Sequence, residues 1–174
     1  MWLFILAELS VFALFFLLFS ALRRYDPETF NAGQQLLHPV AGLVNTLVLL
    51  TSSGCVAEAI VRLRQHRPGA LGWWLLSIPV GALYIPIKLW EYKQLVAAGH
   101  DLDSNAFFTG YFLLTGFHLL HVVLGLVILL FVALRIKQGA YRQGQISGAE
   151  SSACYWHMVD LVWVILFPLI YVIH

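Results

Sequence analysis

Five separate windows of this chain are apolar over 20 or more residues, and that pattern leaves few folds open. They are residues 2–22, 40–61, 70–92, 106–134 and 151–173. A helix crosses a bilayer with roughly 20 predominantly apolar residues, and each window is long enough. Between them lie two polar loops, "RRYDPETFNAGQQLLHP" and "YKQLVAAGHDLDSN", and two shorter basic ones, "RLRQHRPG" and "LRIKQGAYRQGQISG". No repeat, low-complexity tract or soluble domain interrupts the series. The fold expected is an all-α integral membrane protein, one domain over residues 1–174 built as a bundle of five transmembrane helices.

Composition supports that class and removes others. Hydrophobic residues make up 60% of the 174 and charged residues 11%, far from soluble averages. With a formal net charge of +1 and no long basic run, the chain has no electrostatic basis for binding nucleic acid. Cys55 and Cys154 lie in apolar windows without C-x-x-C spacing, so neither a disulfide framework nor a zinc knuckle is expected. The opening "MWLFILAELSVFALFFLLFSALRR" has no basic residues before its apolar run, and that run exceeds the about 7 to 15 residues of a signal peptide. It is expected to remain in the membrane.

Basic residues give a direction. The loops after spans 2 and 4 carry Arg62, Arg64, Arg67, Arg135, Lys137 and Arg142, whereas those after spans 1 and 3 carry Arg23, Arg24 and Lys93 among Asp26, Glu28, Asp101 and Asp103. By the positive-inside rule the N-terminus is cytoplasmic and the C-terminus periplasmic. In span 3, Pro79 and Pro86 each remove a backbone hydrogen bond, so that helix is expected to kink. Trp73 and Trp74 near its start, with Trp90 and Tyr92 near its end, read as interfacial belts. Asn45, Ser52 and Ser53 read as a surface for close helix packing.

An ionisable side chain at the bilayer centre costs about 2.5–3.5 kcal/mol on insertion scales, so each should face protein or water. Glu8 lies in span 1, His118 and His121 in span 4, and Glu150, His157 and Asp160 in span 5. Spacings of three and seven give spans 4 and 5 one polar stripe each. Those stripes are expected to meet each other or Glu8. Glu58 has Arg62 four residues on and reads as a helix-end ion pair; Glu91 stands toward the end of span 3. Three readings of the stripes remain open. His118, His121 and His157 with Glu8 or Asp160 could hold a metal, although neither E-x-x-H nor H-E-x-x-H occurs. The same residues could relay protons. They could also be interhelical hydrogen bonds, about 0.6 kcal/mol each on average, which carries the most weight.

"TGFHLLHVVLG" (115–125) followed by "ESSACYWHMVDLVW" (150–163) resembles the paired signature of subunit III of the haem-copper oxidases. "FILAELSVFALFF" (4–16), "LVNTLVLLTSSG" (43–54) and "KLWEY" (88–92) extend the resemblance over nearly the whole chain in order. It implies an all-helical subunit with no catalytic residue and no metal or cofactor of its own, packed beside a catalytic subunit that carries haem, with copper or non-haem iron. The glutamate aligned with Glu8 is carbodiimide-reactive in that family, and its helices line a cleft holding phospholipid. Larger members have seven helices, so the complete cleft is not expected here. Among five-helix relatives, which include quinol oxidase subunits, the compact form most resembles the accessory protein of bacterial nitric oxide reductases. The expectation is an auxiliary subunit in the bacterial cytoplasmic membrane, first of all of a nitric oxide reductase, that supports assembly or stability of its catalytic large subunit; the alternatives are a subunit III that supports proton uptake beside subunit I of a terminal cytochrome c or quinol oxidase, and an independent metal- or haem-binding or proton-conducting membrane protein. Membrane lipids would be its other partners. His157 and Asp160 would hold span 5 against span 4 and Glu8.

Overall fold

The computed structural model describes residues 2–141 and 146–173; Arg142, counted above among the basic loop residues, lies outside them. Each apolar window forms a helix. Span 1 is α1 (Trp2–Tyr25), ending on Arg23 and Arg24, whose charges suit the negative end of the helix dipole. Span 2 is α3 (Pro39–Arg64) and span 4 is α6 (Ala106–Lys137), which starts where the Asn105 side chain accepts from the Phe108 amide at 3.0 Å. Span 5 is α7 (Ser147–Phe167), prolonged by a π-helical turn over Pro168–Val172. Five helical stretches are thus long and apolar enough to cross a membrane, and the protein is a multi-pass membrane protein. No strand occurs among the described residues.

The loop after span 1 holds a helix that periodicity did not reveal. It is α2 (Pro27–Gln35), with Asp26 as N-cap and Pro27 at the first helical position. The Thr29 hydroxyl, and then its amide at 3.2 Å, hold the Asp26 carboxyl below its ordinary range. This cap is therefore present at neutral pH and is lost only as the pH falls through that lowered value. α2 lies against the bundle: Phe30 meets Phe19 and Phe107 at ring distances of 5.1 and 5.5 Å, and Gln34 donates to the Ile173 carbonyl at 3.0 Å.

Span 3 divides into α4 (Ala70–Ala82) and α5 (Tyr84–Ala97), with the break at Leu83. Pro79 is inside α4, whereas Pro86 falls in the first turn of α5, where its missing N–H would have had no helical partner anyway. The expected kink is therefore resolved as two helices. α5 also runs five residues past the window read from sequence, to Ala97.

Spans 2, 3, 4 and 5 form a ring in which α3 packs on α4 and α7, and α6 packs on the same two. α1 lies outside, against α6 and α7. Burial follows this order: 56% of the span 5 window is buried but only 17% of span 1. The Trp156 indole of α7 fills the ring where α4 and α6 offer Gly81 and Gly125; a Cβ at either glycine would approach it to 2.7 Å. Trp74, read as an interfacial residue, is instead fully buried and donates to the Leu129 carbonyl at 2.8 Å. Tyr92 likewise turns inward, its hydroxyl 2.7 Å from that of Thr115. Ser52 donates to the Ser77 carbonyl at 2.7 Å, tying α3 to α4.

Candidate functional site

At the centre of the ring a lysine is enclosed in protein. Lys88 and Glu91 of α5 are both 0% exposed and pair at 2.8 Å. Their three-residue separation puts both on the inward face of α5. The ammonium also donates to the hydroxyls of Tyr111 on α6 (2.9 Å) and Tyr171 after α7 (2.7 Å), so its three N–H groups are all used. Tyr171 in turn donates to Glu91 at 2.8 Å. Rings complete the enclosure, with the Lys88 Nζ 4.6 Å from the Tyr111 centroid and 5.4 Å from that of Trp163. Glu91, read from sequence with the helix-end residues, is therefore part of an interior ion pair. Lys88 was not singled out at all, although K-x-x-E inside an apolar helix is a readable signal.

The two histidines of span 4 face different neighbours. His121 Nδ1 donates to the Phe117 carbonyl at 2.8 Å, which leaves Nε2 facing Glu8 Oε2 at 2.9 Å. Because a carbonyl only accepts, Nδ1 holds a proton, and a further proton is shared between Nε2 and the carboxyl. This contact pins α1 to α6, helped by Phe12, whose ring lies edge-on to His121 at 5.2 Å. His118 points into the ring instead, between Tyr84 (5.5 Å) and Trp163 (5.2 Å), and neither of its nitrogens has a partner among the described residues. The stripe of span 4 thus splits between two sides.

The stripe of span 5 turns toward span 2 and not toward span 4 or Glu8. His157 Nδ1 is hydrogen-bonded to the Ser53 hydroxyl of α3, and Asp160, one turn further along, is buried with its Oδ1 unpartnered among the described residues. Glu150, at the start of α7, pairs with Arg64 at the end of α3 at 2.8 Å. Arg62 donates to Glu58 at 2.7 Å. Both of these pairs are solvent-accessible at helix ends, so Arg64→Ala should change thermal stability in detergent by less than about 1 kcal/mol. A melting-temperature comparison with the unsubstituted protein checks that expectation. The proposed metal set does not assemble, since His157 lies on the α3 side while His121 belongs to Glu8; among the described residues no three His, Cys, Asp or Glu side chains converge.

Comparison with known proteins gives this arrangement a family. The model of the family "Cytochrome c oxidase subunit III" matches residues 1–174. A "Cytochrome c oxidase subunit 3" of Synechocystis sp. is 31% identical over 98% of this chain and 73% of its own length. A protein of that name from Thermostichus vulcanus is 31% identical over 94% of this chain and 79% of its own. The "Heme-copper oxidase subunit I+III" of Aeropyrum pernix is 30% identical over 99% of this chain, which spans 22% of that longer protein. From end to end, the chain belongs to the cytochrome c oxidase subunit III family.

Proposed function

We propose that this chain is the non-catalytic subunit III of a haem-copper respiratory enzyme in a bacterial cytoplasmic membrane, where it supports assembly or stability of the catalytic subunit. The end-to-end family match is the observation that carries this reading. The interior agrees with it. Lys88, Glu91, Tyr111 and Tyr171 spend their hydrogen bonds on one another across three spans, as ties that hold helices in register. Haem, with copper or non-haem iron, would reside in the catalytic partner, and phospholipid would be the ligand of this chain, near Glu8 and His121. The basic loops after spans 2 and 4 favour a cytoplasmic N-terminus and a periplasmic C-terminus.

The partner proposed is subunit I of a terminal oxidase, because the named relatives are oxidase subunits and one is a joined I+III chain. The narrower assignment, to a nitric oxide reductase, has only the five-span resemblance behind it. Mild-detergent purification of the tagged protein from membranes of cells grown aerobically, and separately under denitrifying conditions, distinguishes them. Haem spectra and mass spectrometry should identify an oxidase subunit I in the aerobic sample. Recovery of a nitric oxide reductase large subunit under denitrifying conditions would move the assignment there, and recovery of the chain alone from both would remove the auxiliary role.

A further inference from the structure

At the basic end of the bundle, the last turns of α3 and α6 and the first turn of α4 enclose a cavity of about 450 Å³. Its size falls within the roughly 300–1,000 Å³ usual for small-molecule sites. α3 supplies Arg62 and Leu63, the turn after it His66 and Arg67, α4 supplies Leu71 and α6 supplies Ile136. Leu63, Leu71 and Ile136 are half-buried, whereas His66 and Arg67 are exposed. An apolar wall built from three membrane-spanning segments thus meets a cationic rim.

Most of that positive charge is uncommitted. Arg62 is held in place: its Nε donates to Glu58 at 2.7 Å, its Nη1 to the Pro68 carbonyl at 3.2 Å, and its guanidinium carbon lies 5.6 Å from the Trp73 ring centroid. These contacts fix the guanidinium plane and leave Nη2 without a hydrogen-bond partner among the described residues. The side chains of His66 and Arg67 make no ion pair or hydrogen bond among those residues, and the two acids at this end, Glu58 and Glu150, are taken up by Arg62 and Arg64. Backbone geometry adds a second observation. α3 and α6 end alike, with the Arg67 amide donating to the Arg62 carbonyl at 2.9 Å and the Ala140 amide to the Arg135 carbonyl at 3.1 Å. The left-handed residue that closes the turn is Gly139 after α6 (φ 75°) but His66 after α3 (φ 52°). A side chain is disfavoured in that conformation, and the turn itself has no use for an imidazole.

We propose that this cavity binds an anionic phospholipid of the adjacent leaflet, with the phosphate between Arg67, His66 and the free edge of Arg62, and the glycerol and first methylenes against Leu63, Leu71 and Ile136. The arginines present N–H groups in a fork that suits phosphate oxygens, and the imidazole adds a further donor. A soluble anion would use the rim alone, whereas the apolar wall selects an occupant that is charged at one end and hydrocarbon at the other. Basic pockets between membrane helices at the cytoplasmic face hold anionic headgroups for the same electrostatic reason. The site is separate from the lipid position proposed near Glu8 and His121 on α1 and α6, and it stands whichever catalytic subunit is the partner.

The test is native mass spectrometry of the full chain in a neutral detergent with dioleoyl phosphatidylglycerol or, as a zwitterionic reference, dioleoyl phosphatidylcholine. Phosphatidylglycerol should be retained about fivefold or more over phosphatidylcholine, the effect of roughly one basic residue on an anionic headgroup. His66→Gly combined with Arg67→Gln should cut that preference to about twofold or less, while Arg24→Gln, which removes a cation at the opposite end of the bundle, should leave it unchanged. His66→Gly alone suits the left-handed turn, so the melting temperature without lipid should not fall, which separates loss of the ligand from loss of the fold. Equal retention of the two lipids by the unsubstituted protein, a preference that survives the double substitution, or an equal loss in Arg24→Gln would overturn the site. A rise in melting temperature with inorganic phosphate equal to that with phosphatidylglycerol would make it a site for a soluble anion and overturn the lipid.

Discussion

Lys88→Met should be the most damaging single substitution in this protein, costing about 3–5 kcal/mol and depleting the folded, monodisperse fraction in mild detergent. The side chains are similar in length, so little volume changes. What changes is that the Glu91 carboxylate, 0% exposed, loses the ammonium 2.8 Å away and keeps only the Tyr171 hydroxyl as donor. An uncompensated buried charge is among the few single-site defects that reach this size. The double substitution Lys88→Met with Glu91→Leu should recover most of the loss, because removing both charges also removes their desolvation cost. Thermal unfolding followed by fluorescence-detected gel filtration separates the cases. If the single variant melts no lower than the double, the ion pair is not the tie across spans 3, 4 and 5 described here.

The number, order and approximate limits of the spans were legible because lipid imposes a length and a composition that few other contexts share. Facing was not. His118 and His121 share a stripe by spacing, yet one looks into the ring and the other toward α1, because α1 packs outside the four-membered ring and captures only the outer of the two. His157 and Asp160 were identified as a polar stripe, but the partner helix was misjudged; spacing gives a face of α7 and carries no information on which neighbour occupies it. Lys88 was missed for a different reason. Ending span 3 at residue 92 put it beside the membrane edge, where a lysine is unremarkable, whereas α5 continues to Ala97 and moves Lys88 and Glu91 about one and a half turns inward. Trp74 was assigned to the interface on residue type alone, although its Nε1 has an interior acceptor in Leu129.

Trp156→Ala is expected to cost about 3–5 kcal/mol, and its interaction with Gly125 should reverse the sign of a second substitution. In the native bundle a methyl group at residue 125 would press on the indole at 2.7 Å from ring atoms that cannot move aside, because Gly81 closes the opposite side at the same distance. Gly125→Ala alone should therefore destabilise by about 1–3 kcal/mol through overpacking. With Trp156 already replaced by alanine, the same methyl enters empty space and adds helix propensity of up to about 1 kcal/mol, so it should be neutral or stabilising. Melting temperatures of the four members of this cycle measure the coupling; simple additivity would remove the claim that the indole is wedged between α4 and α6. The wedge also sets the facing of span 5. Successive helical residues point about 100° apart, so anchoring Trp156 in the ring rotates His157 out of it and toward α3. Loss of the wedge frees α7 to turn about its own axis, and the Ser53–His157 hydrogen bond between α3 and α7 then loses its fixed geometry. Trp156→Ala should consequently raise hydrogen–deuterium exchange along the α3–α7 seam even at temperatures where the chain remains folded, which separates orientation from stability.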